Sequence, residues 1–167
     1  MLLLISDANI LIDIEDGNLT PVVFQLPYEI AVPDILFELE LREKHSHLLK
    51  LGLIVKSLTA ESVKKTESLN YKYPRPSVMD HSALALACQE KCPLLTGDKD
   101  LRAAAKSEGV EVHGTVWIIE ELLKQKLIMQ AQARSSFDSM KAKGSRLPWI
   151  DIEKLLYKWE LMGTKNE

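Results

Sequence analysis

The chain has few cysteines and no long hydrophobic run. Its two cysteines, Cys88 and Cys92, lie four residues apart on a predicted helix, so they cannot form the disulfide framework of a secreted domain. No apolar stretch approaches the roughly 20 residues that span a bilayer. The opening MLLLIS ends at Asp7, which is too early for a secretory signal. We therefore expect reduced thiols, no membrane segment and a cytoplasmic location.

The sequence also lacks the charge and the motifs of several common functional classes. Its formal net charge is −3, so bulk charge gives no indication of nucleic-acid binding. It contains neither a phosphate-binding Walker loop nor a G-x-S-x-G nucleophile motif. The four histidines are scattered, and the pair His45 and His47 has too few neighbouring ligands for a zinc site. Carboxylates are therefore the side chains left as candidates for a catalytic or metal-binding site.

Short apolar runs alternate with helical patterns along most of the chain. The prolines of YKYPRPS place 70–77 in a loop. Strands alternating with helices are typical of an α/β fold, in which helices cover both faces of a central, mostly parallel sheet in three layers. The predicted strands are 2–5, 29–32, 52–57, 93–96 and 110–113, and the predicted helices are 8–15, 34–44, 60–69, 77–91, 99–108 and 115–126.

The residues after 128 form the most basic part of the chain. We expect 1–128 to form one domain and 129–167 to form a C-terminal helical extension, with a break at 144–148. One helix face of the extension is too apolar to remain in water, so we expect it to pack on the domain or on a partner, while its cations contact phosphates. That face contains Ile150 or Ile152 together with Leu155, Leu156 and Trp159.

Two acids, Asp7 and Asp98, directly follow two predicted strands. Because the carboxyl ends of parallel strands lie along one edge of a sheet, where ligands bind, these side chains should be delivered to one place. The alternative interpretation is that each is a turn residue or caps the next helix.

A third and a fourth acid lie on predicted helices. Asp80 shares a helix stripe with Leu84 and Ala87. Burying a lone carboxylate costs more free energy than the helix dipole contributes. Either this helix end is therefore exposed, or a cation compensates the charge of Asp80. Glu38 lies on an otherwise apolar helix, where Glu40 and Glu43 are solvent-facing alternatives. Glu38 could equally be an ordinary surface glutamate.

Four carboxylates without organised histidine or cysteine suit a hard cation, Mg²⁺ or Mn²⁺. A metal held in this way can ionise water and stabilise the charge on a phosphodiester during in-line attack. Such a site needs no protein nucleophile, and the sequence offers no obvious one.

Four segments together resemble the acidic signatures of PIN domains: SDANILI (6–12), VPDILFEL (32–39), MDHSALALA (79–87) and LLTGDKDLR (94–102). The resemblance covers roughly 1–128, and the Asp–Glu–Asp–Asp order makes it specific. Ala8 departs from the pattern, because many members have Thr or Ser there. The family's catalytic acids match Asp7, Glu38, Asp80 and Asp98, with Asp7, Asp80 and Asp98 on the metal, and Asn9, Thr96 and Asp100 match supporting positions.

The resemblance implies a Mg²⁺- or Mn²⁺-dependent endoribonuclease with RNA as substrate. Many small prokaryotic members are VapC-like toxins that are held inactive by an antitoxin and often form homodimers, so these properties are expectations here as well. Two phosphotransfer classes fit poorly. A haloacid-dehalogenase-like phosphatase needs an Asp where Asn9 stands, and a receiver domain needs an Asp after a middle strand. The main alternative is a non-catalytic PIN-like module that binds protein or RNA.

Overall fold

A parallel sheet of five strands forms the centre of the protein in a computed structural model that describes residues 1–164. Along the sheet the strands lie in the order third, second, first, fourth, fifth, and all neighbouring pairs are parallel. In chain order they are β1 (Leu2–Ser6), β2 (Tyr28–Pro33), β3 (Ile54–Lys56), β4 (Leu94–Leu95) and β5 (Val112–His113). Three of them lie within the predicted ranges, β1 extends one residue further and β2 one residue further at each end, and the parallel sheet is confirmed.

Helices cover both faces of this sheet. One layer contains α7, which packs across β1, β2 and β4 and contacts α6 and α8, and the opposite layer contains α1, which contacts α2, α9 and α10. Among residues 1–164, no helix is long and apolar enough to cross a membrane. The helices are α1 (Ala8–Asp16), α2 (Thr20–Val23), α3 (Asp34–Leu36), α4 (Arg42–His45), α5 (Leu48–Leu51), α6 (Ala60–Lys72), α7 (Val78–Glu90), α8 (Lys99–Ser107), α9 (Thr115–Lys124), α10 (Gln130–Ala142) and α11 (Trp149–Thr164).

The predicted loop at 70–77 is wrong at its start, because α6 continues to Lys72. Its last turn is held by tertiary contacts that the sequence does not reveal. The Lys72 ammonium lies 3.0 Å from the Glu108 carboxylate, and the Tyr73 hydroxyl donates to the same carboxylate at 2.8 Å. The short helix α2 was not predicted either.

The predicted helix over 34–44 is interrupted. A π-helical segment, Phe37–Leu41, joins α3 to α4. A π-turn closes its hydrogen bond one residue later than an α-turn, so side chains after it point in directions that α-helical spacing does not predict. This change of direction bears on the acids of the segment.

The crevice of the sheet lies between β1 and β4. The chain moves from β1 to β2 on one side and returns to β4 on the other, so the helices that follow β1 and β4 diverge at this edge. The two strands are held together where they end, because the Asp7 amide donates to the Leu95 carbonyl at 3.0 Å. Residues that follow these two strands therefore meet.

The C-terminal extension packs on the rest of the chain. From α10, Phe137 and Met140 are fully buried, and the Ser139 hydroxyl donates to the backbone carbonyl of Asp16 at 2.6 Å. From α11, Ile152 and Leu156 are buried, whereas Ile150 is 76% exposed. The extension is helical over the described residues, and the prediction for 165–167 lies outside them. The division of the chain at residue 128 stays a prediction.

If α10 belongs to the core, Phe137→Ala should lower the free energy of unfolding by about 3–5 kcal/mol, since it leaves a cavity in a buried cluster. The control is Ile150→Ala, which removes an exposed side chain and should change stability by less than about 0.5 kcal/mol. Urea denaturation followed by circular dichroism measures both values. Equal, small effects in the two variants would show that the extension is not part of the folded unit.

Candidate functional site

Asp7 lies at the end of β1 and begins α1. One carboxylate oxygen, Oδ1, accepts a hydrogen bond from the Ile10 amide at 2.9 Å, which caps the helix. The residue is 1% exposed. Its second oxygen, Oδ2, is buried and accepts no hydrogen bond from any residue that the structure describes. Such an oxygen is costly unless something compensates its charge.

The surroundings of Asp7 oppose its ionisation. The pKa of its carboxyl is raised from 3.8 to about 7, chiefly by burial, and the nearby charges of Asp80 and Asp13 act in the same direction. The Thr96 hydroxyl and the Ile10 amide act in the opposite direction. At neutral pH the metal-free site therefore carries an incompletely compensated buried acid, which is the electrostatic setting that a cation relieves.

Asp80 belongs to the first turn of α7, where it is half-buried. It forms a capping box with Ser77: its Oδ2 accepts the Ser77 amide at 3.0 Å, and its own amide donates to the Ser77 hydroxyl at 3.1 Å. Leu84 and Ala87, on the same stripe, are fully buried, so the predicted helix face is observed. Asp80 thus lies at a partly exposed helix end, which agrees with one of the two interpretations, and compensation of its charge by a cation stays a prediction.

The π-helical segment carries two acids, Glu38 and Glu40, and the charge of Asp80 acts on Glu40. The Glu38 carboxylate is 52% exposed and pairs with the Arg42 guanidinium at 2.6 Å. Burial raises the pKa of the Glu40 carboxyl, and the charge of Asp80 adds to this. Glu40 is exposed, as the sequence predicted, although its carboxyl is partly desolvated.

Asp98 occupies the matching position after β4 and caps α8. Its Oδ1 accepts the Leu101 amide at 2.7 Å, and its own amide donates to the Thr96 hydroxyl at 3.1 Å. Thr96 is fully buried, and its hydroxyl also lowers the pKa of Asp7, so one side chain influences both strand-end acids. Asp98 and Asn9 line a cleft of about 580 Å³ at this edge, which we call the acidic cleft.

The acidic cleft contains two further acids, Asp13 and Asp16, that the sequence interpretation missed. Burial raises the pKa of Asp13, the Ser145 and Thr115 hydroxyls lower it, and the charge of Asp16 raises it. The Thr115 hydroxyl donates to Asp13 Oδ2 at 3.2 Å. The available signal resembled the one applied to Asp80, because Asp13 stands between the apolar residues Ile12 and Ile14.

The structure does not bring Asp100 to this group. Its carboxylate lies 3.6 Å from the Arg75 guanidinium, in a surface pair on the flank formed by the segment before α7. Another cluster lies elsewhere, where Glu15 contacts His45 at 2.5 Å and also contacts His47. These contacts tie α1 to the chain around α4.

As the side chains stand in residues 1–164, no three of His, Cys, Asp or Glu form a group that could hold a metal ion. The capping contacts provide a physical reason. Asp7, Asp80 and Asp98 each use one carboxylate oxygen to bind a helix N-terminus, which directs that oxygen towards the backbone. What the fold presents is a set of acids anchored at one sheet edge.

Comparisons with known proteins found a family model and a similar solved structure. A family model described as PIN domain matches residues 3–160. A solved structure, a PilT N-terminus domain protein from the hyperthermophilic archaeon Sulfolobus solfataricus P2, is similar with 16% sequence identity, a TM-score of 0.49 and coverage of 74% of this chain and 92% of that chain. No curated protein matches the chain. Because the family model spans most of the sequence, the protein belongs to the PIN-domain family.

Proposed function

We propose that the protein is a Mg²⁺- or Mn²⁺-dependent endoribonuclease. PIN domains are typically nucleases that use divalent metal ions. The observation that carries the proposal is the buried Asp7 carboxylate, whose Oδ2 has no hydrogen-bond partner in the described chain. The charges of Asp80 and Asp13 act on this same group.

The donor set fits a hard divalent cation. Carboxylate oxygens are the ligands that Mg²⁺ and Mn²⁺ prefer, and Asp7, Asp80 and Asp98 would hold the ion, each with the oxygen that is not engaged in capping. When bound, the ion supplies positive charge for the phosphate and lowers the pKa of water. Glu40 takes the fourth position in this proposal, in place of Glu38.

The chain's own groups orient the site. The Thr96 hydroxyl accepts the Asp98 amide, which orients Asp98, and it lowers the pKa of Asp7, which favours the charged form of that acid. The N-terminal ends of α1 and α8 meet at this edge, where their partial positive charge favours a phosphate. Asn9 lines the acidic cleft and offers an amide to the same substrate.

A toxin role, an antitoxin partner, a homodimer and a cytoplasmic location follow from the resemblance to VapC-like proteins and are proposed on that basis. One surface is compatible with a protein partner. The outer face of α11 leaves Ile150, Tyr157 and Met162 exposed by 76%, 63% and 55%. Sedimentation of the purified protein tests the dimer, and relief of growth arrest by a co-expressed neighbouring gene tests the antitoxin.

The second candidate is a non-catalytic module that retains the fold for binding. It is favoured by one observation, namely that no ready group of three metal ligands exists among residues 1–164. The two functions differ in a single assay, because only the nuclease cleaves a single-stranded RNA when Mg²⁺ or Mn²⁺ is added and stops when the metal is chelated.

Asp7→Asn should lower RNA cleavage by about a hundredfold or more, since even changes outside the first shell of ligands cost 10–100-fold. Asp98→Asn should behave alike, and both variants should keep the wild-type circular dichroism spectrum. The assay follows a labelled RNA in Mn²⁺ and in EDTA. Undiminished, metal-dependent cleavage by Asp7→Asn would refute the proposed site.

The metal-free protein should lose stability as pH rises. The folded pKa of Asp7, about 7, lies above its usual 3.8, so the folded chain keeps a proton that the unfolded chain has released. The free energy of unfolding therefore falls between about pH 4 and pH 7 and then levels off. Asp7→Asn cannot ionise, so at pH 8 in EDTA its free energy of unfolding should exceed that of wild type by a few kcal/mol. This is the free energy that corresponds to the raised pKa of Asp7.

That advantage of Asp7→Asn should shrink steadily towards pH 4. Urea titrations at pH 5, 6, 7 and 8 measure the trend. If Asp7→Asn is instead less stable than wild type at pH 8, the carboxylate has a structural role as a helix cap rather than a role in binding a cation.

Glu40→Gln and Glu38→Gln form a matched pair two residues apart. We expect Glu40→Gln to reduce cleavage at least tenfold and to weaken the thermal stabilisation by Mn²⁺, because it removes a charge beside Asp80. Glu38→Gln removes only a surface ion pair and should change neither quantity by more than about twofold. If Glu38→Gln had the larger effects, Glu38 would be the fourth acid of the site.

A further inference from the structure

A second depression adjoins the acidic cleft, and its lining has more cations than acids. It has a volume of about 960 Å³ and lies between α8, the segment from β5 into α9, and the start of α11 with the loop before it. We call it the basic groove. It shares Gly97, Lys99 and Arg146 with the acidic cleft, so the two form one continuous depression.

Four cations line the basic groove: Lys99, Arg102, Lys106 and Arg146. Arg102 donates to the Thr96 carbonyl at 3.2 Å, which fixes it near the strand end that bears Asp98. Lys99, Lys106 and Arg146 are exposed, and none forms an ion pair within residues 1–164.

Two acids, Glu120 and Asp151, also line the basic groove, so its formal charge remains positive. The chain as a whole carries −3, whereas the lining of the neighbouring cleft has three acids and three cations. Unpaired cations gathered in one groove of an acidic protein point to an anionic ligand that extends beyond the metal site.

The basic groove also has an aromatic wall. The rings of His113 and Trp117 stack with centroids 4.0 Å apart and planes 15° from parallel, and both residues line the groove. Trp117 is supported from another side by Tyr28, at 5.5 Å. A rigid aromatic pair beside cations is the combination that binds single-stranded nucleic acid, whose phosphates meet the charges and whose unpaired bases stack on rings.

We propose that the basic groove binds single-stranded RNA and leads it to the acidic cleft. Lys99 and Arg146 line both depressions, so they would contact the phosphates nearest the cleaved bond, while Lys106 would contact a more distant phosphate. The C-terminal extension supplies Arg146 and one wall of the groove, which gives the extension a role in substrate binding. The proposal deepens the nuclease function and rests on it for the nature of the substrate.

The test compares two triple variants of the full chain. Lys99→Gln, Lys106→Gln and Arg146→Gln remove the unpaired cations of the basic groove, whereas Lys50→Gln, Lys64→Gln and Lys124→Gln remove three exposed lysines that line neither the groove nor the cleft. Binding of a fluorescent single-stranded RNA is measured by anisotropy in EDTA, where no metal-dependent cleavage occurs, at several salt concentrations.

Each phosphate contact to a single strand contributes about 0.7 to the slope of log affinity against log salt. Loss of three contacts should lower the slope by about 2 and the affinity at 0.1 M salt by about a hundredfold, with less than about threefold change in the control. His113→Ala should weaken binding about fivefold through lost stacking and leave the salt slope unchanged.

Equal binding by the two triple variants, or tighter binding of duplex RNA than of single strands by the wild type, would overturn the proposal. So would a wild type that binds no single-stranded RNA at 50 mM salt. Failure of the nuclease function is recognised separately. If RNA binding depends on the groove cations but no cleavage occurs in Mn²⁺, the groove proposal is supported and the nuclease function is refuted. If the triple groove variant cleaves RNA with an unchanged KM, the nuclease function is supported and the groove proposal is refuted.

Discussion

The buried carboxylate of Asp7 is the constraint on which the site depends. Central strand β1 ends there, and its backbone pairing to Leu95 brings the end of β4 alongside. Burial and the charges of Asp80 and Asp13 oppose ionisation of Asp7, while its helix-capping contact stabilises only one of the two oxygens. The fold thus maintains an electrostatic cost at the sheet edge that a cation would remove.

Helix capping and candidate metal binding use the same side chains. Asp7, Asp80 and Asp98 each accept a hydrogen bond from a backbone amide at or near a helix start, so each is fixed by secondary structure before any ligand arrives. This explains why a cap and a ligand are not competing interpretations of these residues. A carboxylate has two oxygens, and each cap occupies one of them.

The C-terminal extension contributes both core side chains and a cation beside the site. Phe137, Met140, Ile152 and Leu156 join the core, which holds the loop before α11 against the acidic cleft. That loop brings Arg146 beside the acids, so an acidic chain presents cations where a phosphate backbone would lie. The extension therefore completes a surface that the sheet edge alone does not provide.

The amino-acid sequence by itself determined the strands, their parallel pairing and the placement of Asp7 and Asp98 at one sheet edge, because these depend on short apolar runs and on strand ends. It also indicated Asp80, through an acid on an oily stripe. The tertiary structure alone decided that the charge of Asp80 acts on Glu40. The π-helical turn at Phe37–Leu41 points side chains in directions that α-helical spacing does not predict. The tertiary structure alone likewise decided that Asp13, remote from Asp98 in sequence, shares its cleft, and that the cations of α8 and of the extension converge, since both depend on helices packing across the sheet.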